Sequence, residues 1–369
     1  MKRALVGCVL VLGLYGLARA DTVSLLDPAK KYGRDVDGQI ESESPAGIKI
    51  KEAKGPPRLI LPAEVQSVLY EVPGVAKKDF NLPAQRETDA QHEKDAKKKR
   101  ALLDEALGGF KELEAKADKA NHVRAKRYAA FRVARCKAYL AAEDPSQRPA
   151  AVKELLAYRK AYPDGWEIIP VLRQLSQMQE EDGDLAGAAE TLEQMRGLKE
   201  VPDDVKQTTT VLVAQMFMRA KKYDQAEERL KQALADSKLE ASLRPKLQVY
   251  LVKAKALQGK AGDAEPDLRA AIQGSQDGEI RAAAYNLLGD YYRARKEDEK
   301  AFWNYLRAYV LYKGTPEEEA KSLYWLWKLY ATVPAGGDAA KAREHYQLLM
   351  EPRYSGTEYQ NLASKEPAP

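Results

Sequence analysis

The chain runs to 369 residues, 44% hydrophobic and 31% charged, with 60 lysines and arginines against 55 aspartates and glutamates for a formal charge of +5. So even a balance does not nominate nucleic acid as a partner, because that class of binding needs a strong local excess of positive charge. The two cysteines, Cys8 and Cys136, offer no disulfide framework, and a chain this long can take its stability from packing alone.

Lys2 and Arg3 precede an apolar run from Ala4 to Ala18, which ends in the small-x-small triplet Ala18-Arg19-Ala20. This is the pattern of a secretory signal cut after Ala20, and the run is short of the roughly 18 residues a spanning helix needs. Leu5-Val6-Gly7-Cys8 is similar to a lipobox, but only four residues precede it and most of the apolar stretch follows the cysteine, so cleavage rather than lipidation is expected. Removing residues 1–20 lowers the formal charge to +2 and leaves Cys136 as the one cysteine. The expected product is exported, to the periplasm or cell envelope, and carries no membrane span.

Residues 21–75 read as a small all-β module. Thr22–Leu26, Gln39–Ser42, Gly47–Lys51, Arg58–Leu61 and Val65–Tyr70 are short, and several alternate apolar with polar side chains. Pro45-Ala46-Gly47 suits a hairpin turn, and Gly55-Pro56-Pro57 a tighter break. The order of strands and turns resembles an SH3-like or Sm-like barrel, and so small a sheet is expected to dock on helices rather than stand alone. A linker over 76–85 follows, then a long helical hairpin over 86–145, Arg86–Lys116 against Asn121–Glu143, whose second arm carries Tyr128, Phe131, Ala134 and Ala138 at helical spacing. The basic run Lys97-Lys98-Lys99-Arg100 reads as a solvated helix face, since Asp104 and Glu105 follow it.

From residue 146 the sequence repeats. Ala151, Ala188, Ala226, Ala264, Ala301 and Ala342 recur at a near-constant interval that is stretched only before the last of them. Four residues after each stands a large side chain (Leu155, Leu192, Leu230, Leu268, Tyr305, Tyr346), and three later another apolar one (Tyr158, Met195, Ala233, Ala271, Ala308, Leu349). The i, i+4, i+7 spacing puts each triplet on one helix face, and the small first residue lets a second helix approach closely. Asp144-Pro145-Ser146, Pro163-Asp164-Gly165, Pro202-Asp203-Asp204 and Gly314-Thr315-Pro316-Glu317 punctuate the helices with stops and N-cap donors, with Ser146 expected to cap the first of them.

The stretch Tyr285-Asn286-Leu287-Leu288-Gly289-Asp290-Tyr291-Tyr292 with Ala301, Tyr305 and Ala308 resembles the tetratricopeptide repeat (TPR) pattern of large residue, Leu-Gly, Tyr, then Ala, aromatic, Ala. Gly183-Asp184 and Lys222-Tyr223-Asp224-Gln225-Ala226 resemble the turn between that family's two helices. The interval is a few positions longer than that family's usual period, and extra residues stand at Val333–Gly337. The resemblance implies a mainly α protein, a TPR-like α-solenoid over 146–356 preceded by the β module. Trp325, Trp327, Tyr330, Tyr354 and Tyr359 are expected to close its end, and 357–369 to form a cap and a disordered tail.

Catalysis finds no support in the chain. His92, His122 and His345 form no metal-spaced pair, no phosphate loop, Cys-x-x-Cys or His-Glu-x-x-His is present, and Cys136 stands among small and apolar residues that suit a buried, inert thiol. No cofactor or metal is expected. What the resemblance implies is recognition: the first helix of each hairpin lines a groove that receives a protein or peptide partner. Aligned by the repeat, Arg173, Gln177, Gln215, Arg219, Lys253, Asn286, Arg293, Tyr324 and Lys328 would point into it, a polar set with a positive bias suited to an acidic or C-terminal peptide. The alternative is a structural envelope protein whose β module makes the functional contact.

Overall fold

The computed structural model describes residues 20–27, 33–260, 262–333 and 337–368. The expected signal segment therefore lies outside the described residues except for Ala20, as do three of the extra residues at 333–337 and the last residue of the tail. The chain is mainly helical behind a small antiparallel sheet, and it divides into two compact units, 1–175 and 176–369.

In the first unit, strands β1 (Asp21–Leu25), β2 (Asp35–Ser44), β3 (Gly47–Lys51), β4 (Arg58–Ile60) and β5 (Val65–Leu69) form a sheet of order β4-β3-β2-β1-β5. All five expected strands are present. Pro45-Ala46 makes the β2–β3 turn, with Ser44 opposite Gly47. β2 is ten residues long and serves two partners: Asp35–Gly38 pair with β1 and Gln39–Ser44 with β3, the register shifting between Ile40 and Ser42. That shift lets the strand bend, and Val23, Val36, Ile40, Ile48, Ile50, Ile60 and Val68 of the sheet are all buried.

The linker expected over 76–85 is instead helix. α1 (Lys77–His92) starts where the Asp79 carboxylate accepts the Ala76 N–H at 3.0 Å, buries Phe80, and runs through Pro83. Proline lacks a donor, yet here its ring packs where Gly109 leaves room: a Cβ on Gly109 would lie 2.8 Å from the Pro83 Cβ. The expected hairpin over 86–145 is likewise three helices. Asp95 accepts from Lys98 N–H at 3.0 Å and starts a new helix, α2 (Ala96–Lys119), which packs on both α1 and α3 (Val123–Glu143). α4 (Arg148–Ala161) packs on α3 and buries Ala151, Leu155 and Tyr158, so the first expected repeat helix belongs to this unit. Ser146 does not cap it: Asp144 accepts from Ser146 N–H at 3.2 Å and starts a 3-10 turn, Pro145–Gln147, from which α4 continues without a side-chain cap.

Helix α3 holds the sheet. β5 lies at the sheet edge, and its outward Val68 N–H donates to Tyr128 Oη at 3.3 Å while its Gln66 carbonyl accepts from Arg132 Nη1 at 3.1 Å. Two side chains of one helix thus take the place of a further strand. Arg132 is 1% exposed, and its charge is met by Glu87 of α1 at 2.5 Å, with Arg135 Nε on the other Glu87 oxygen at 2.5 Å. Burial opposes ionisation of Glu87, but the two guanidiniums outweigh it and hold the carboxyl below its ordinary pKa. Tyr70, Phe80, Phe110 and Tyr128 pack around the pair with ring centroids 5.9–6.5 Å apart. A second cluster ties β2 to α3: Arg127 spans Glu43 and the fully buried Glu167, while Tyr70 Oη donates to Glu43 at 2.5 Å. Two carboxylates share that one buried cation, and desolvation first, then the Glu43 charge, pushes the Glu167 pKa up. Cys136 is buried on α3 and its thiol is raised by desolvation, which disfavours the thiolate.

The second unit begins within α5 (Ile168–Glu181) and continues as α6 (Leu185–Gly197), α7 (Asp203–Arg219), α8 (Tyr223–Ala235), α9 (Arg244–Leu257), α10 (Glu265–Gly274), α11 (Gly278–Ala294), α12 (Asp298–Leu311), α13 (Pro316–Tyr330), α14 (Ala339–Leu349) and α15 (Glu358–Ala363). From α6 to α14 each helix packs on the next, and α7, α9, α11 and α13 also touch one another in succession. The result is two layers of hairpins: the odd helices form a continuous inner row, the even ones an outer row. Ala188, Ala226, Ala264, Ala301 and Ala342 are all buried, four inside outer helices and Ala264 at the N-cap of α10. Tyr346 and Ala233 are half-buried, and the other repeat positions of this unit are buried.

A second periodicity accompanies the alanines. Gly183, Lys221, Gly259, Lys296 and Gly337 have φ between 59° and 79°, in the left-handed region, and each stands five residues before its alanine. Four of the five stand two residues past the end of the inner helix and Gly337 seven past it; the next helix starts two residues on, except that α10 starts six after Gly259, where Gly262 is left-handed as well. The stretched last interval leaves this spacing intact, because Gly337 and Ala342 move together. Gly289 of the Leu-Gly pair faces the Tyr305 ring, which a Cβ would meet at 2.5 Å. That is the close approach of inner and outer helix expected of a small residue.

Replacing Glu87 by alanine leaves the buried Arg132 and the half-buried Arg135 without their carboxylate and should cost about 3–5 kcal/mol of stability in chemical denaturation, as for other broken buried pairs; a loss below about 1 kcal/mol would remove the pair from its central place. Glu167→Gln tests the second cluster. Because the folded chain holds the Glu167 proton more tightly than the unfolded chain, the contribution of this group is full below the ordinary glutamate pKa of 4.5 and falls as pH rises toward neutrality. The stability of the Gln variant relative to wild type should therefore increase over that interval, and a pH-independent difference would contradict the assignment.

Candidate interaction surface

The inner row is the concave feature of the second unit. Two recesses, about 500 and 730 Å³, lie along α7, α9, α11 and α13 and share Lys253, Leu257, Glu317, Glu318 and Glu358, so they are parts of one trough. Its apolar contacts include Leu212 and Leu257, 41% and 49% exposed. Exposed leucines on the concave side of a helical array leave unburied apolar area of the kind found in docking grooves.

Eight of the nine expected groove residues belong to this unit; Arg173, exposed, lies in the part of α5 that falls in the first. The structure brings six of the eight together as rungs between inner-row elements. Gln215 Nε2 donates to Tyr250 Oη at 2.6 Å, linking α7 to α9. Lys253 Nζ reaches Glu318 Oε1 at 3.1 Å, from α9 across to α13. Asn286 Nδ2 donates to the Glu318 carbonyl at 2.8 Å and to its Oε2 at 2.9 Å, and its Oδ1 accepts from Ser322 Oγ at 2.7 Å. The Arg293 guanidinium lies 3.8 Å from the centroid of the Trp325 ring. Tyr324 and Lys328 both hold Glu366, the former through a 2.6 Å hydrogen bond. Of the remaining two, Gln177 donates to Glu181 at 2.9 Å and Arg219 pairs with Glu180.

The expected positive bias is therefore corrected: Arg219, Lys253 and Lys328 are each matched by an acid, and Asn286, fully buried, does not face the trough at all. The physical reason is the closeness of the inner helices. Polar side chains at a crossing are desolvated and must find partners on the neighbouring helix.

Glu318 is the hub that sequence reasoning missed. Burial raises its pKa, but Lys253, Lys321 and the Asn286 amide outweigh that and hold it ionised below the ordinary carboxylate range. In the sequence, Thr315-x-x-Glu318 has the form of a capping box. Thr315 Oγ1 does accept the Glu318 N–H at 3.3 Å, while the carboxylate is engaged by Lys253 and Asn286. Lys321, 8% exposed, pairs with Asp290, which also accepts from Tyr305 Oη at 2.7 Å, and so ties α13 to α11 and α12.

The C-terminal residues close the row. Tyr354 is fully buried with its hydroxyl 3.0 Å from Glu319, and Tyr324, Trp327, Ala342, Leu349 and Ala363 share its core, as expected of a cap. The tail is ordered farther than expected: Ser364 and Lys365 continue hydrogen bonding to α15, and Glu366 is anchored on Tyr324 and Lys328.

No protein-family model matches the chain, and no curated protein matches it. Among solved structures it is similar to BtubC (BKLC) from P. vanneervenii, with 19% identity, a TM-score of 0.40, and 70% of this chain and 94% of that chain covered. The fold stands on the packing described above and not on that likeness. Among the described residues no helix is long and apolar enough to cross a membrane, and no group of three or more His, Cys, Asp or Glu side chains is placed to hold a metal ion.

Glu318→Ala removes the shared partner of Lys253 and Asn286 and should destabilise the chain by about 1–3 kcal/mol in urea denaturation, whereas Glu358→Ala, at the exposed rim, should change it by less than about 0.5 kcal/mol. Equal effects would show that the rungs are surface contacts.

Proposed function

We propose that this chain is a non-catalytic interaction scaffold of the cell envelope, in which a stack of TPR-like hairpins receives a segment of a partner protein along the inner row of α7, α9, α11 and α13. The observation that carries the reading is the trough itself: an inner helix row pre-arranged by side-chain rungs between its helices, with the exposed leucines Leu212 and Leu257 on its wall. Rungs fixed before binding reduce the ordering cost of association. The wall offers leucine contacts for apolar side chains, while matched ion pairs at the rim disfavour one strong ligand charge. Export is supported by the sequence of residues 1–20, and a TPR-type array by the recurrence of small residues and left-handed turns. The place of Cys136, buried with a disfavoured thiolate, agrees with a protein that does no thiol chemistry.

A second reading, contact through the β module, is supported by Leu26, Leu59 and Leu61, which are 54%, 50% and 38% exposed. Affinity capture from an envelope extract separates the two. With the full chain as bait, Leu212→Asp with Leu257→Asp should reduce recovery of the partner at least about tenfold, and Leu26→Asp with Leu59→Asp should leave it unchanged. The reverse pattern would overturn the groove reading in favour of the β module.

A further inference from the structure

The C-terminal segment lies on α13 with most of its own residues exposed. α15 packs on α13 as α13 packs on α11, so it stands where the next inner helix of the row would stand. The other inner helices from α7 onward have 14–17 residues; α15 has six. A helix of that length has no stability of its own. Of residues 358–366 only Ala363 is fully buried, and Glu358, Asn361, Leu362, Ser364 and Lys365 are exposed. The segment follows Gly356, whose φ is +83° and around whose Cα there is open space, so the chain can redirect there without a clash.

The Gln360 amide donates to the Leu349 and Glu351 carbonyls at 3.0 and 3.1 Å, and the Glu358 N–H to Glu317 at 3.3 Å; three further contacts seat the segment's side chains. The Tyr359 ring lies 5.5 Å from the Tyr324 ring, Ala363 enters the core of α13 and α14, and the Glu366 carboxylate is taken by Tyr324 Oη at 2.6 Å and by Lys328. Lys328 also lies 4.0 Å from the centroid of the Trp327 ring, so the cation is partly desolvated and gains from a carboxylate more than a free surface lysine would.

We propose that the face of α13 bearing Tyr324, Trp327 and Lys328 is a docking subsite for an aromatic, small and acidic side chain spaced along a short helical segment of a partner, and that residues 357–366 fill this subsite in cis until the partner displaces them. The proposal rests on the groove reading above and adds the partner's chemistry and a means of gating. The pattern the subsite accepts is the one seated on it: Tyr359, Ala363 four residues later and Glu366 three beyond. Residues Glu358 and Tyr359 also line the trough, so vacating the subsite lengthens the surface open to a ligand.

The test uses the full chain and a fluorescein-labelled peptide of residues 357–369 as probe, read by anisotropy. The wild-type chain should bind the probe weakly because its own segment competes. Glu366→Gln, which loses the charge-assisted contacts and leaves the subsite intact, should bind at least about tenfold more tightly. Adding Lys328→Ala to that variant should abolish the gain, while Lys365→Ala, outside the contact, should behave as wild type. No binding to Glu366→Gln, or binding insensitive to Lys328→Ala, would overturn the proposal. Hydrogen exchange gives an independent readout: Glu366→Gln should raise exchange across 358–366 and leave α13 protected, and loss of protection in α13 would make the segment a structural cap. A concentration-dependent dimer in sedimentation that Glu366→Gln abolishes would assign the subsite to a second copy of the chain and overturn the partner reading. If the probe binds as predicted but capture from the extract fails, the subsite stands and the envelope partner does not.

Discussion

The second unit depends on a fixed five-residue spacing between a left-handed turn residue and a buried alanine. The turn sets where the outer helix starts, and the alanine sets how closely it can lie on the inner one. Gly183, Lys221, Gly259, Lys296 and Gly337 all keep that spacing, and the inner helices α7, α9, α11 and α13 touch in succession as a row. The row creates the trough, and its closeness forces the buried polar rungs. Glu318, joined to Lys253 and Asn286, is the clearest case: three inner helices share one carboxylate, and a side chain that would be a surface acid in a looser packing becomes part of the frame.

The first unit solves a different problem with the same means. A five-stranded sheet of about 50 residues buries too little surface to be stable alone and exposes an edge. α3 supplies both remedies, through Tyr128 and Arg132 on the β5 edge and through Arg124 and Arg127 on β2, where Arg124 donates to the Ile40 carbonyl at 2.7 Å. Burying Arg132 requires a counter-charge, and Glu87 of α1 provides it. The sheet is thus part of the helical unit rather than an appended module, which weighs against reading it as an independent binding head.

Much of this was legible in the residues. The strands, the Pro45-Ala46 turn, the Thr315 cap and the burial of the recurring alanines follow from local periodicity and turn chemistry, which act over a few residues. Most of the misreadings have causes that lie farther along the chain. Pro83 suggested a linker, but Gly109, on the neighbouring helix α2, makes room for its ring inside α1. Lys221 and Lys296 take left-handed conformations that their side chains do not announce, so the second periodicity is visible only where glycine marks it. The expected groove residues fall on α5, α7, α9, α11 and α13, yet their partners do not follow from the repeat. Lys253 and Glu318 are 65 residues apart, and no pattern along the chain couples them until α9, α11 and α13 come together. A polar residue on an inner helix reads as ligand-facing from its spacing; whether a neighbouring helix claims it is decided by tertiary packing.

The proposed place of a partner protein is the inner row of α7, α9, α11 and α13. Site-specific photo-crosslinking in intact cells addresses it directly, with the photoreactive residue placed at Leu257 on the inner row, at Val310 on the outer face of α12, 64% exposed, and at Leu59 on the sheet. A discrete adduct is expected from position 257 and none from 310 or 59. An adduct from 310 or 59 with none from 257 would contradict it.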